Sequence, residues 1–236
     1  MRLPRPGALV LQERLFLLLT GIFIAALVAS NLIFQKFFTW SPFGLYTFEL
    51  SVGILPYPVT FLVTDIVSEI YGRKRADQIV VTGFFASLFI LVIVTVADAV
   101  PQTAWSPVSS EVFHKVFGLF GPAIFASMTA YLVAQFVDIR IFHFWKRLTN
   151  GRHLWLRNNG STVFSQLVDT SLVLLLLCLT GAIEWSRFPG LLENGFLFKV
   201  MVAFLDTPLF YLATFLLRRS LHLRGADEVS LEQSLA

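Results

Sequence analysis

An apolar run of about twenty residues recurs six times along the chain, at roughly 15–34, 51–71, 79–100, 117–138, 160–183 and 196–217. Each is long enough to cover the ~30 Å of a bilayer's hydrocarbon at about 1.5 Å of helix per residue. A soluble domain carries about a quarter charged residues. This chain of 236 residues has 14% charged and 56% hydrophobic residues, with a mean hydropathy of +0.73. That is more apolar surface than one core hides. In lipid an open backbone finds no water, so the spans must be helices. The expectation is an all-α membrane protein, a six-transmembrane-helix bundle over residues 15–217. Residues 1–14 form a cytoplasmic N-terminus, and 218–236 form a disordered cytoplasmic tail with Asp227, Glu228 and Glu232. The first run, Leu15 to Phe34, is read as a retained helix rather than a signal peptide because it is long enough to span.

Basic residues set the orientation. With the N-terminus inside, the cytoplasmic segments hold Arg2, Arg5 and Arg14; Arg73, Lys74 and Arg75; Arg140, Lys146, Arg147, Arg152 and Arg157; and Arg218, Arg219 and Arg224. That is fourteen of the eighteen Lys and Arg, leaving Lys36, Lys115, Arg187 and Lys199 outside. The positive-inside rule then places both ends in the cytoplasm. The net charge of +3 fits this distribution, so no nucleic-acid partner is expected. The loop 139–157, with Phe142, Phe144, Trp145 and Trp155, is expected to lie along the inner lipid surface. The single cysteine, Cys178, reads as an apolar filler, and the four scattered histidines give no zinc site, so neither metal nor cofactor is expected.

Ionisable residues inside spans carry the chemistry, because each costs about 2.5–3.5 kcal/mol at a helix centre and needs a partner or a cavity. Asp65 and Glu69 are four apart on span two; Tyr131, Gln135 and Asp138 share a stripe on span four. Thr162, Gln166, Asp169 and Thr170 share one on span five beside Ser165, and Asp206 and Thr207 sit mid-way along span six. These stripes should converge. Asp169 and Asp206, both roughly 15 Å deep, are expected to form the principal pair. Glu69 either pairs with Arg73 at the inner surface or joins Asp65 in completing the site or gating its cytoplasmic exit; Asp138 with Arg140 is expected as an interfacial pair, and Asn158 and Asn159 as caps of span five. Pro56, Pro58 and Pro208 interrupt their spans and free carbonyls beside the polar stripes.

Three stretches carry a family resemblance: "PVTFLVTDIVSEIYGRKRA" (58–76), "NNGSTVFSQLVDTSL" (158–172) and "FLDTPLFY" (204–211). In order and spacing they resemble the motifs of the queuosine precursor transporters, also grouped as vitamin uptake transporters. The resemblance implies a six-helix inner-membrane importer of 7-cyano- or 7-aminomethyl-7-deazaguanine, precursors of a modified nucleoside of transfer RNA. The positions matching its acidic motifs are Asp65, Glu69, Asp169 and Asp206, with Asn158, Ser161, Thr162, Ser165 and Gln166. The chemistry suits a small purine-like substrate independently. A guanine-like edge offers two adjacent N–H donors that a carboxylate accepts in a fork. Gln166 or a hydroxyl would donate to the ring carbonyl, and aromatic faces would stack the base.

Two other classes stay open at this point. One is a membrane subunit that captures substrate and depends on a separate ATPase, since the chain has no P-loop. The other is an intramembrane aspartyl enzyme, although the sequence lacks GxGD, H-E-x-x-H and G-x-S-x-G patterns. Energy coupling is not legible: proton coupling and facilitated diffusion both fit. Gly83, Ala86 and Ser87 on span three leave room for close helix contact, so a homo-oligomer also stays open.

Overall fold

The computed structural model describes residues 6–223 except 35, 45, 119, 180 and 182, together with residue 229. Arg2, Arg5, Arg224 and the acidic residues Asp227, Glu228 and Glu232 fall outside the described residues. In chain order the elements are α1 (Pro6–Ile33), a hairpin of β1 (Phe37–Trp40) and β2 (Phe48–Ser51), α2 (Tyr57–Ile70), α3 (Gly72–Ala99), the one-turn α4 (Ser110–Phe113), α5 (Phe120–Leu148), α6 (Leu154–Leu179) and α7 (Phe188–Ser220). Among the described residues five helical stretches are long and apolar enough to cross a bilayer: Val10–Ile33, Val52–Ile70, Gly72–Ala99, Leu154–Leu179 and Trp185–Ser220. The 29-residue α5 is of similar length but carries Asp138, Arg140, Lys146 and Arg147 toward its C-terminus.

Helix α2 is the axis of the bundle. It packs against α1, α3, α5 and α7, and ten of its fourteen residues are buried, Asp65 and Glu69 among them. A helix screened from lipid on every side can hold Thr60, Thr64, Ser68 and two acids, because their partners come from its neighbours. The flanking helices show the opposite pattern. Phe85, Phe89, Val92 and Val96 of α3, and Phe204, Leu205, Leu209 and Leu212 of α7, are exposed, as lipid-facing side chains are.

Several boundaries differ from the sequence expectation. Pro56 and Pro58 do not interrupt a span. Pro56 is the N-cap of α2 and Pro58 lies in its first turn, where a missing N–H costs nothing. The chain before them, Val52–Ile54, is a 3-10 turn pressed against the end of α1: a Cβ on Gly53 would lie 2.6 Å from the Ser30 carbonyl oxygen. Helix α2 stops at Tyr71, and Gly72 takes φ +76°, a left-handed value open to glycine. The segment 139–157 is not a surface loop. Helix α5 runs on to Leu148, and α6 starts at Leu154 after a turn with positive φ at Asn150, Gly151 and His153; Phe142 is fully buried. Asn158 and Asn159 lie in the second turn of α6 and are not caps. Pro208 sits inside a continuous α7 and leaves the Phe204 carbonyl without its usual i+4 donor.

The antiparallel hairpin, with Phe38 opposite Leu50 and Trp40 opposite Phe48, was not expected. It leans on α7, where Phe48, Leu50 and Phe198 form a small apolar cluster and Tyr46 donates to Asn194 at 2.9 Å. The Gly83 stripe is used within the chain: a Cβ there would meet Phe23 of α1 at 2.5 Å.

Candidate functional site

The polar stripes do converge, in three layers around α2. In the first, one carboxylate ties four helices together. Glu69 of α2 pairs with Arg157 Nη1 of α6 at 3.1 Å, with Lys146 of α5 at 3.4 Å and with Arg218 of α7. All four side chains are largely buried. The expected Glu69–Arg73 pair is absent; Arg73 faces Asp77 at 3.6 Å. The acid and its surplus of cations hold the end of the bundle where α2 hands over to α3.

In the middle layer the Thr162 hydroxyl donates to Asp65 at 3.4 Å, and Ser165 donates to Asp138 at 2.8 Å. The Asp65 and Asp138 carboxyls lie close to each other, and one oxygen of each has no hydrogen-bond partner among the described residues. Asp138 is fully buried and does not form an interfacial pair with Arg140, which lies near the Phe136 ring instead. One turn further along α5, Gln135 accepts from Thr64 at 3.2 Å and donates to Thr60 at 3.4 Å. Asn158 stands beside Asp206, and Asn159 exchanges bonds with Thr207 at 2.9 and 3.2 Å, joining α6 to α7.

The third layer holds Asp169. Its carboxylate accepts from Tyr57 at 3.0 Å and from Lys199 Nζ at 2.6 Å, and the Lys199 ammonium stands 4.9 Å from the Tyr57 ring centre. Asp169 and Asp206 therefore have different partners: Asp206 groups with Asn158 on the side of Asp65 and Asp138, and Asp169 with Lys199. Lys199 had been counted among the outer-loop charges, yet its side chain is only 12% exposed.

Between these layers runs a narrow cleft lined by Tyr57, Phe61, Thr162, Gln166, Lys199 and Asp206, with Ile54, Pro58, Val202 and Ala203. Its volume, about 10 Å³, is the room of one water. Gln166 is 3% exposed, and its Oε1 has no hydrogen-bond partner among the described residues. Burying such an acceptor unmatched costs about 1–3 kcal/mol. Thr170 Oγ1 on the same stripe is also unmatched. Among the described residues no three His, Cys, Asp or Glu side chains are placed to hold a metal ion.

Two of these residues had a signal in the sequence. Lys199 is seven before Asp206, on the same helix face, and Tyr57 is the first residue of α2. The contact of Asp65 with Asp138 crosses two helices and had none.

Apolar helices around a buried, partly unmatched polar cleft define a multi-pass membrane transporter. The comparisons agree: residues 51–213 match the family described as "Putative vitamin uptake transporter", and the chain belongs to that family. It is 29% identical to the "Probable queuosine precursor transporter" of Bacillus subtilis over 82% of this chain and 83% of that protein. It is 28% identical to the Haemophilus influenzae protein of the same description over 53% of this chain and 50% of that protein. It is also 27% identical to the "Queuosine precursor transporter" of Escherichia coli, over 62% and 61%. No solved structure matches the chain. Family and relatives are described as transporters, not as enzymes.

Proposed function

We propose that this protein imports a queuosine precursor, 7-cyano- or 7-aminomethyl-7-deazaguanine, across the bacterial inner membrane. Six spans cross that membrane, α1, α2, α3, α5, α6 and α7, with both termini in the cytoplasm. The observation that carries the reading is the unmatched Gln166 Oε1 on the wall of a cleft it shares with Asp206. Both groups are acceptors, and a guanine-like edge supplies two adjacent donors. Asn158 orients the Asp206 carboxylate, and Tyr57 and Phe61 offer ring faces. Asp65, with Asp138 and Ser165 behind it, fixes Thr162 on the cleft wall. Asp169 positions Lys199 and Tyr57, and Glu69 holds the cytoplasmic ends of four helices together.

Uptake of labelled 7-deazaguanines by the purified protein in liposomes tests this reading, and no added ATPase should be needed. Asp206→Asn, which loses a charged acceptor worth about 1.5–3 kcal/mol, is expected to lower uptake at least about tenfold, and Gln166→Leu, which loses a neutral bond of about 0.5–1.5 kcal/mol, by about two- to tenfold. No uptake of either base by folded wild-type protein would refute the reading.

A further inference from the structure

On that transport reading, a second question is what reads the substrate's ring carbonyl. Asp206 and Gln166 Oε1 are suited to the donor edge of the base; the Gln166 amide can offer its ring carbonyl a neutral N–H, and a charged donor there would bind it more strongly. The hydroxyls on the cleft wall are already committed: Thr162 donates to Asp65 and Tyr57 to Asp169. Lys199 also lines the cleft. One of its three N–H donors goes to Asp169; the other two meet no acceptor among the described residues. Asp169 is not part of the cleft wall, so of this ion pair the cleft presents the ammonium.

Lys199, Val202, Ala203 and Asp206 follow one another at i, i+3, i+4 and i+7 on α7, one continuous stripe. Its two charged ends are about 10 Å apart along the helix. The short side chains of Val202 and Ala203 form the floor between them, on which a flat ring would lie once the cleft, with room here for one water, widens.

We propose that Lys199 is a substrate-contacting residue that donates to the 6-oxo group and so selects 6-oxo over 6-amino bases. A 6-amino base puts a donor against an ammonium that has nothing with which to accept it. It also lacks the ring N–H that Asp206 and Gln166 are placed to receive. A site built to hydrogen-bond one group discriminates strongly against its mismatch, because buried partners are left unpaired.

The test uses the full chain in liposomes, with labelled 7-deazaguanine as the transported base and unlabelled 7-deazaguanine or 7-deazaadenine as competitor. Wild type should prefer the 6-oxo base by roughly 100-fold or more. Lys199→Met should weaken 7-deazaguanine binding and narrow the preference about tenfold, the loss of one charge-assisted hydrogen bond, with the remainder held by Asp206 and Gln166, while Lys199→Arg keeps most of the preference. If Lys199 only tied α6 to α7, Lys199→Met would slow uptake and leave the competitor ratio untouched, and that result overturns the proposal. Reductive methylation of wild-type protein gives a readout that needs no variant. 7-Deazaguanine should protect Lys199 from modification and 7-deazaadenine should not; equal protection by both, or by neither, overturns it too. Transport of 7-deazaguanine with an unchanged ratio refutes only the role of Lys199. Failure of wild type to bind 7-deazaguanine at all refutes the transport reading as well.

Discussion

Glu69 shows how much can rest on one side chain. Glu69→Gln leaves Arg157, itself 2% exposed, without a full counter-charge, and breaking a buried pair of this kind costs about 3–5 kcal/mol. The variant in detergent should melt well below wild type; an unchanged melting temperature would show that the cluster carries no net stability. Arg73→Ala, which breaks a half-exposed pair with Asp77, should change stability by no more than about 1 kcal/mol. The sequence made Glu69 and Arg73 look like partners because they are four apart. That relation holds only within one helix, and α2 ends between them at Tyr71. Asp138 and Arg140 are two apart on α5 and so point in different directions. The importance of the buried acids was legible from their cost in lipid. Which acid each partner meets was not, because the two lie on different helices: Lys199 is thirty residues from Asp169.

At the scale of elements, hydropathy marks where lipid ends, not where a helix ends. Helices α3, α5 and α6 therefore run past their apolar stretches, and the extensions bring Lys146 and Arg157 back into the bundle to meet Glu69. The five helical stretches that are long and apolar enough to cross a bilayer, among the described residues, were legible in order. The hairpin was not, since its two strands have four residues each and lie between stronger signals. Packing of α1 on α3 is tested at Gly83. A side chain there meets Phe23 at 2.5 Å and Leu27 at 3.1 Å, so Gly83→Val should destabilise by about 1–3 kcal/mol. Phe23→Ala in the same chain should recover part of that loss, seen as a partial return of the melting temperature. The absence of any recovery would place the strain elsewhere.

For the whole molecule, orientation is the property that transport depends on. In a Cys178→Ser background, an impermeant maleimide applied to intact spheroplasts should label Trp105→Cys, and should label Arg152→Cys only after the membrane is opened. The reverse pattern would invert the topology. The hairpin matters at this scale as well. Trp40 and Phe48 meet Phe198 edge-on at 5.8 and 6.0 Å, and Phe198 is the residue before Lys199. Movement of α7 away from the hairpin would pull Phe198 off those two stacked rings. If the cleft is the transport route, its room for a single water beside these aromatic contacts would leave ions no continuous wet path, and the gradients stored across the membrane would survive the interval between one passenger and the next.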